Sequence, residues 1–250
     1  MCVTCGCGGD HQHTHTHDDN HQHDAHDHHH ANHDIVNLES EILAENNKFA
    51  AQNRSFFQAH QALAVNFLSS PGSGKTTLLE ETIKLMSSTN PIYVIEGDQH
   101  TELDANRIRN AGAEAYQIQT GKACHLDGHM VGHALEHLVI KDNSFVFIEN
   151  VGNLICPALF DLGEHAKVVL ISVTEGEDKP LKYPDMFFGA DLVIITKVDL
   201  LPYLKFDINA CEANIRKINS KAKIFQVSAS NGQGFEAWIN WLHSAKAYLS

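Results

Sequence analysis

The chain of 250 residues is long enough for one sizeable α/β domain plus an appendage, and its 43% hydrophobic content can supply a core. The formal charge of −13 argues against a nucleic-acid partner, which requires basic patches. No apolar run reaches the length of a membrane span, and the N-terminus lacks the basic and apolar segments of a secretory signal. We therefore expect a cytoplasmic protein, in which the six cysteines are thiols or metal ligands rather than disulfides.

Residues 1–34 differ in composition from the rest of the chain and are predicted to form a disordered metal-binding tail. They contain six Asp but no Lys, Arg or Glu, so they carry −6 of the formal charge. Cys2, Cys5 and Cys7 are close enough together to wrap one soft or borderline metal ion. The alternative is a tip with incidental cysteines, although half of the six cysteines lie there.

Eleven histidines between residues 11 and 33 are interleaved with Asp, Gln, Thr and Asn. Neutral imidazole suits nickel, copper and zinc. Many adaptable sites fit storage better than one rigid site does. An expression tag is the alternative, but a tag is normally an uninterrupted run of histidines, whereas this tract is long and mixed. The tract therefore indicates a role in storing nickel or zinc.

Residues 35–62 are predicted to form an N-terminal helical segment. Apolar doublets recur every seven residues, at 35–36, 42–43, 49–50 and 56–57, and acidic and amide residues fill the spaces between them. Such a helix has one apolar face. This face can pack on its own domain or on a partner subunit.

Residues 63–250 have the pattern of an α/β nucleotide-binding domain, because strand-like apolar runs alternate with helical stretches. Strands are predicted at 64–69, 92–96, 115–119, 145–149, 167–173, 192–196 and 223–227, and helices at 76–88, 102–111, 125–141 and 234–249. This alternation predicts a doubly wound, mostly parallel sheet of the P-loop NTPase type. Ligands bind such sheets at the carboxyl ends of the strands.

A phosphate-binding loop, SSPGSGKT at Ser69–Thr76, follows the first predicted strand. Its glycines let the backbone approach phosphate oxygens at the start of a helix. Lys75 can reach the β- and γ-phosphates, and the Thr76 hydroxyl can join a Mg²⁺ ion. Ser69 stands where the usual pattern has glycine, so the match is incomplete. The predicted nucleotide-binding residues of this loop are Gly72, Ser73, Gly74, Lys75, Thr76 and Thr77.

Two acidic residues at strand ends are candidate Mg²⁺ ligands. Asp98 follows the second strand, where it could hold Mg²⁺, directly or through water, or position the attacking water. Glu149 ends an apolar strand and precedes Gly152 by three residues, a Walker-B-like arrangement in which most GTPases have Asp. Either acid could instead cap a helix or lie in a solvated turn. Together with the phosphate loop they favour Mg²⁺ binding, and we predict Lys75, Asp98 and Glu149 as the catalytic residues.

The segment TKVD at Thr196–Asp199 resembles the guanine-recognition motif of GTPases. The Asp199 carboxylate can accept hydrogen bonds from the ring N1–H and the exocyclic amine of guanine, a pair that adenine lacks. The Lys197 stem can lie on the base. Ser228 and Ala229 follow the next strand and resemble the loop whose backbone N–H meets the guanine oxygen. A chance Lys-x-Asp turn is the alternative, but its placement after a strand argues against it. The predicted ligand is GTP.

Cys124, His125 and Cys156 are predicted to lie in loops on the nucleotide side of the sheet. Two thiolates and an imidazole suit zinc or nickel. A fourth ligand must come from water, another loop or a second subunit. The alternative for the two cysteines is a pair of buried, unreactive thiols.

His129, His133 and His137 continue a four-residue spacing that starts at His125, which would place all four on one helix face. His129 could join the metal site as a neighbour of His125. A solvated polar face is the preferred interpretation of His133 and His137.

These motifs together resemble the HypB family of hydrogenase nickel-incorporation GTPases, which belongs to the SIMIBI class of P-loop GTPases. The resemblance rests on SSPGSGKTT, IEGDQHT, TGKACHLD, FIENVGNLICPALFDLG, SVTEGEDKPLKYP and TKVDLLPYL and covers about 63–245. CVTCGC resembles the nickel motif of that family, and the histidine tract resembles its His-rich members. Ser69 and Glu149 depart from the general GTPase patterns. These departures resemble traits of the family, so they do not weaken the match.

The resemblance implies a GTPase that dimerises with GTP and delivers Ni²⁺ to the hydrogenase large subunit, together with other nickel-maturation accessory proteins. It also implies guanine contact at Asp199 and a metal site at the subunit interface formed by Cys124, His125 and Cys156. The expected ligands are GTP, Mg²⁺, Ni²⁺ and Zn²⁺, and neither nucleic acid nor a membrane is expected as a partner. No arginine finger can be identified, so intrinsic hydrolysis should be slow.

Two other functions stay open at this point. One is a nickel or zinc storage protein whose nucleotide site is vestigial, although intact Lys75, Thr76 and Asp199 argue against it. The other is the related urease-type nickel GTPase. The Cys124-His125 and Cys156 set, with the CVTCGC tip, favours hydrogenase maturation.

Overall fold

The computed structural model describes residues 28–98 and 103–249. The strands are β1 (Leu63–Ser69), β2 (Ile92–Asp98), β3 (Glu114–Gln119), β4 (Phe145–Glu149), β5 (Ala166–Ser172), β6 (Leu192–Thr196) and β7 (Lys223–Val227). The helices are α1 (His28–Ala59), α2 (Lys75–Met86), α3 (Leu103–Ala111), α4 (Gly128–Glu136), α5 (Lys179–Lys182), α6 (Pro184–Phe188), α7 (Ile208–Ile218) and α8 (Phe235–Ala247), with 3₁₀ turns at Cys156–Leu159 and Val198–Tyr203.

The seven strands form one sheet in the order β3-β2-β4-β1-β5-β6-β7, and every pair of neighbours is parallel. The predicted doubly wound α/β fold is confirmed, and the sheet is wholly rather than mostly parallel. Because all strands run in one direction, their carboxyl ends meet at one edge. The loops that follow β1, β2, β4 and β6 therefore lie close together.

The central strand β1 is buried along its whole length, which explains why its sequence, LAVNFLS, is apolar except for Asn66 and Ser69. Alternate residues point to opposite faces of the sheet. On one face Phe67 packs edge-on against Trp238 of α8, and the Trp238 indole donates a hydrogen bond of 2.8 Å to Thr82 of α2. On the other face Ala64 lies in the core cluster that includes Phe57 of α1. Helices thus cover both faces.

The helix α1 packs on its own domain through Phe57 and through two asparagines. Asn53 donates to the Gly128 carbonyl at 2.7 Å, and Asn46 accepts from the Gly128 N–H at 2.7 Å. A side chain at Gly128 would approach the Ala50 backbone nitrogen to 2.9 Å, so glycine permits the close approach of α4. The sequence left open whether this helix packs on its own domain or on a partner subunit. These contacts show that residues 46–57 pack on their own domain.

The helix α1 begins at His28 rather than at Ile35, so residues 28–34 of the predicted disordered tail are helical. No Gly or Pro occurs between residues 28 and 62 to end the helix. The predicted tail ligands Cys2, Cys5 and Cys7 lie outside the described residues. Within the described ranges, no helix combines the length and apolarity needed to cross a bilayer.

The helix α4 is shorter than the predicted helix at 125–141. The Asp127 side chain accepts a hydrogen bond of 2.8 Å from the Met130 N–H and caps the helix, which therefore begins at Gly128. His125 consequently lies in the preceding loop, and the prediction that four histidines share one helix face is wrong. The helix α7 has no counterpart among the predicted helices, although Asp207 caps it in the same way.

Candidate nucleotide and metal sites

A cavity of about 500 Å³ opens at the carboxyl ends of β1, β2 and β4. Its walls include Lys75, Thr76, Asp98 and Glu149, so the structure brings together the three predicted catalytic residues and the predicted Mg²⁺-binding threonine. The phosphate loop forms one side of this cavity, and residues 149–152 of the loop after β4 form another.

The phosphate loop has a conformation that requires its glycines. Gly72 has φ +74° and Gly74 has φ +95°, in the left-handed region that other residues rarely adopt. The Lys75 ammonium donates a hydrogen bond of 2.9 Å to the Ser69 hydroxyl. Ser69, which stands where the usual motif has glycine, therefore holds the lysine side chain at the cavity.

Side chains from the far half of the sheet hold the phosphate loop in place. The Thr196 hydroxyl donates to the Ser73 carbonyl at 2.7 Å, and the Lys197 ammonium donates to the Gly72 carbonyl at 2.7 Å. The Glu175 carboxylate accepts from the Ser73 hydroxyl at 2.9 Å. Glu175 was not among the predicted site residues, because its partner Ser73 lies about 100 residues earlier in the chain.

The residues predicted to bind Mg²⁺ have chemistry that fits a hard cation. The Thr76 hydroxyl donates a hydrogen bond of 2.7 Å to Glu149 Oε1. Glu149 is 3% exposed, and its Oε2 has no hydrogen-bond partner among the described residues. Burial raises the pKa of Glu149 to about 7, against the charge of Lys75 and the hydrogen bond from Thr76. A divalent cation at these oxygens would satisfy the orphaned atom and favour the ionised carboxylate.

A second cavity of about 210 Å³ adjoins the first, because Gly74, Thr77 and Lys197 line both. Asp199 and Ala229 lie on its wall. The cavity continues from the phosphate loop toward the carboxyl ends of β6 and β7, which is where the sequence places the base.

The Asp199 carboxylate is oriented by two serines. Asp199 Oδ1 accepts a hydrogen bond of 2.6 Å from the Ser228 hydroxyl. Hydrogen bonds from Ser228 and Ser230 lower the pKa of Asp199. The carboxylate is therefore an acceptor at neutral pH, as recognition of two guanine N–H groups requires. Ser230 was not among the predicted site residues.

The ligand atoms of Cys124, His125 and Cys156 all lie within 4.8 Å of one another. Cys156 is 1% exposed, whereas Cys124 and His125 are half-buried. The His125 ring stacks on Phe160 with the ring centroids 3.9 Å apart, and burial lowers its pKa. A neutral imidazole beside two thiols fits the ligand preferences of nickel and zinc.

Within the described part of the chain, the cluster of possible metal ligands does not include His129. Its ring packs edge-on against Phe49 of α1 at 5.0 Å. His133 lies beside Glu136, and its ring meets His137 edge-on at 4.8 Å. These histidines follow α4 away from the metal cluster.

Two contacts of Leu126 join the nucleotide cavity to the metal cluster. Asn150, on the cavity wall, accepts hydrogen bonds of 3.0 Å from the N–H groups of Leu126 and Val151. Leu126 is the neighbour of His125, and it also packs so closely on Gly97 that a Cβ there would lie 2.8 Å from its Cγ. Displacement of the loop after Glu149 would therefore act directly on the segment that carries His125.

The same loop rests on the phosphate loop. A Cβ at Gly152 would lie 2.9 Å from Pro71 Cα, so any larger residue there would displace the backbone. Cys156 follows only four residues later. The phosphate loop, the loop after β4 and the metal cluster are thus in continuous contact.

The parallel sheet, the phosphate loop and the adjoining cavities define a P-loop nucleotide-binding protein. The family model described as "CobW/HypB/UreG, nucleotide-binding domain" matches residues 63–226. The chain belongs to this family and, within it, to the HypB group, because a hydrogenase maturation factor HypB from Rhizobium leguminosarum bv. viciae is 56% identical over 213 residues, which are 85% of this chain and 71% of the relative.

Solved structures of HypB proteins agree with this assignment. HypB from Helicobacter pylori, solved in complex with nickel, matches with a TM-score of 0.78 and 39% identity over 82% of this chain and 96% of the other. The hydrogenase maturation factor HypB from Archaeoglobus fulgidus matches with a TM-score of 0.77 and 43% identity over 82% of this chain and 100% of the other.

Proposed function

We propose that the protein is a GTP-hydrolysing nickel metallochaperone that binds Ni²⁺ and delivers it during maturation of [NiFe] hydrogenase. The observation that carries this proposal is the contact between a nucleotide cavity and a Cys-His-Cys cluster through the loop from Glu149 to Cys156. The names of the HypB relatives and the nickel complex of the Helicobacter pylori protein support it. The proposed partners are the hydrogenase large subunit and other nickel-maturation accessory proteins.

In the proposed reaction, water attacks the γ-phosphorus of GTP and the products are GDP and phosphate. Lys75 neutralises charge on the β- and γ-phosphates. Thr76, Asp98 and Glu149 would hold Mg²⁺, which would neutralise the phosphate oxygens when bound. Asp98 or Glu149 would also orient the attacking water.

The proposed enzyme should be slow because the arginine at the cavity is already engaged. Arg107 lies on the cavity wall, but its guanidinium pairs with Asp104 at 3.0 Å and with Glu80 at 2.5 Å. An arginine held by two carboxylates is poorly placed to stabilise developing phosphate charge. Hydrolysis therefore suits a timing device better than a metabolic reaction.

The Cys-His-Cys cluster would bind Ni²⁺ or Zn²⁺ with three protein ligands. A fourth ligand from a second copy of the chain would make metal binding and GTP-dependent dimerisation mutually supportive. The γ-phosphate would order residues 149–152, and Asn150 would transmit this order to Leu126 and His125. Hydrolysis to GDP would then loosen the metal site for release.

The first test is turnover. The full chain is expected to release phosphate from GTP slowly and not from ATP, and Lys75→Ala should lose at least 90% of this activity, since a phosphate-loop lysine stabilises charge that develops in the transition state, worth roughly 10-fold or more. Phosphate release should be measured with excess Mg²⁺, with Lys84→Ala on the exposed side of α2 as the control. Equal turnover by wild type and Lys75→Ala would contradict the proposal.

A storage role for the tail is proposed alongside delivery. Removing residues 1–27 should leave GTP turnover nearly unchanged, because the residues that line the two nucleotide cavities all lie between Pro71 and Ser230. Bound nickel per chain should fall sharply, because the truncation removes seven histidines and three cysteines. Replacing only Cys2, Cys5 and Cys7 should remove the tightest tail site but retain most of the ions. Metal analysis after equilibrium dialysis measures this, and equal stoichiometry for full-length and truncated protein would refute storage.

A further inference from the structure

A buried carboxyl group outside the predicted site faces the phosphate cavity. Glu96 lies near the carboxyl end of β2 and is 2% exposed. In the sheet it is the direct register partner of Glu149 on the neighbouring parallel strand β4. Residues paired in this way project from the same face of the sheet, and both line the same cavity. The two carboxyl groups are therefore neighbours.

Each of these carboxyl groups has one oxygen without a hydrogen-bond partner among the described residues, Glu96 Oε2 and Glu149 Oε2. Two buried acids side by side are costly when ionised unless a cation lies between or beside them.

The nearby cations are already engaged. Lys75 donates to Ser69, and Arg107 pairs with Glu80 and Asp104. Within the described part of the chain, Glu96 forms no ion pair with Lys, Arg or His. Glu96 follows the apolar run IYVI within β2, and an acid buried there with an orphaned oxygen facing a phosphate cavity is not explained by packing.

We infer that Glu96 is a further carboxylate of the divalent-cation site, which acts beside Thr76, Asp98 and Glu149 and binds Mg²⁺ directly or through a metal-bound water. The inference rests on the proposed nucleotide function and adds a residue to that site. Mg²⁺ retains several waters when it binds protein carboxylates and phosphates, so a carboxylate that holds such a water contributes to affinity without contact with the nucleotide. Glu96 is thus a determinant of how tightly the nucleotide-bound protein holds Mg²⁺.

The test measures the Mg²⁺ dependence of nucleotide binding. A fluorescent, non-hydrolysable GTP analogue is titrated into the full chain at fixed Mg²⁺ concentrations and in EDTA, for wild type and Glu96→Gln. The amide preserves size and removes the charge. The Mg²⁺ concentration that gives half of the affinity gain should rise roughly 10- to 100-fold, the range for loss of partners around a metal site. Affinity in EDTA should be unchanged.

Two further variants make the result specific. Glu96→Asp keeps the charge and should lie between wild type and Glu96→Gln. Glu81→Gln, on the exposed pair with Lys84, should match wild type. Metal-free Glu96→Gln should unfold at the same or a higher temperature than wild type, because the substitution removes a buried acid that has no cation partner. A purely structural role for Glu96 predicts a lower unfolding temperature.

The outcomes separate this inference from the proposed function. An unchanged Mg²⁺ midpoint in Glu96→Gln, or an equal loss of affinity with and without Mg²⁺, would overturn the role of Glu96 and leave the GTPase proposal intact. Wild-type protein that does not bind the GTP analogue at any Mg²⁺ concentration would overturn the proposed function itself.

Discussion

Replacing Asp199 with alanine is expected to weaken GTP binding by tens- to hundreds-fold. The carboxylate lines the smaller cavity, accepts a hydrogen bond from Ser228, and has a lowered pKa that keeps it ionised. Loss of charge-assisted hydrogen bonds to the guanine N1–H and amine should cost roughly 2–4 kcal/mol. Calorimetric titration with a GTP analogue in the presence of Mg²⁺ measures the change.

Two controls separate base recognition from damage to the fold. Asp199→Asn replaces an acceptor with a donor, so it should reject guanine but accept xanthine, which has a carbonyl oxygen where guanine has the amine. Asp207→Ala removes the cap of α7 and should cost about 1 kcal/mol of stability without changing nucleotide choice. Wild-type protein that binds ATP as tightly as GTP would show that Asp199 does not select the base.

Replacing Cys156 with alanine is expected to lower nickel affinity at least about 100-fold in protein that lacks residues 1–27, since loss of a ligand should exceed the 10- to 100-fold cost of losing an outer partner. Cys156 is buried within 4.8 Å of the ligand atoms of Cys124 and His125, so alanine would remove one of the three ligand atoms of the cluster. Competition with a coloured nickel chelator measures the affinity.

Cys211 provides the matched control. It is buried in α7 among apolar side chains, and burial raises its pKa to about 12, so it remains an uncharged thiol. Cys211→Ala should change stability and leave nickel affinity unchanged. Retention of wild-type affinity by Cys156→Ala would place the metal elsewhere in the protein.

Much of the fold was predictable from the sequence because a wholly parallel sheet, buried on both faces, needs continuous apolar strands. Those of β1, β4 and β6 are apparent in the sequence, and the phosphate loop and TKVD mark the strand ends where ligands bind. Helix ends were less predictable. The start of α4 depends on the cap at Asp127, and the start of α1 lies in a polar stretch whose composition suggests disorder.

The residues missed at the site are those whose importance depends on partners distant in sequence. The sequence shows Asn150 only as a loop residue, because its hydrogen bond with the Leu126 N–H forms only in the folded chain. Glu175 reaches the phosphate loop across about 100 residues of chain. Glu96 could have been noticed, because it directly follows the apolar run IYVI within a strand, but its neighbour Glu149 is identified only by strand order.

The central claim, that nucleotide state controls the metal site, is tested most directly by nickel affinity in two nucleotide states. Protein lacking residues 1–27 is saturated with GDP or with a non-hydrolysable GTP analogue, and nickel is titrated against a chelator of known affinity. We expect tighter binding with the GTP analogue by about 5- to 150-fold, the usual range of coupling between two sites. Asn150→Ala, which removes the link to Leu126, should reduce this difference. Identical nickel affinities in the two states of the wild-type domain would contradict the account and leave a nucleotide-binding protein that also binds metal.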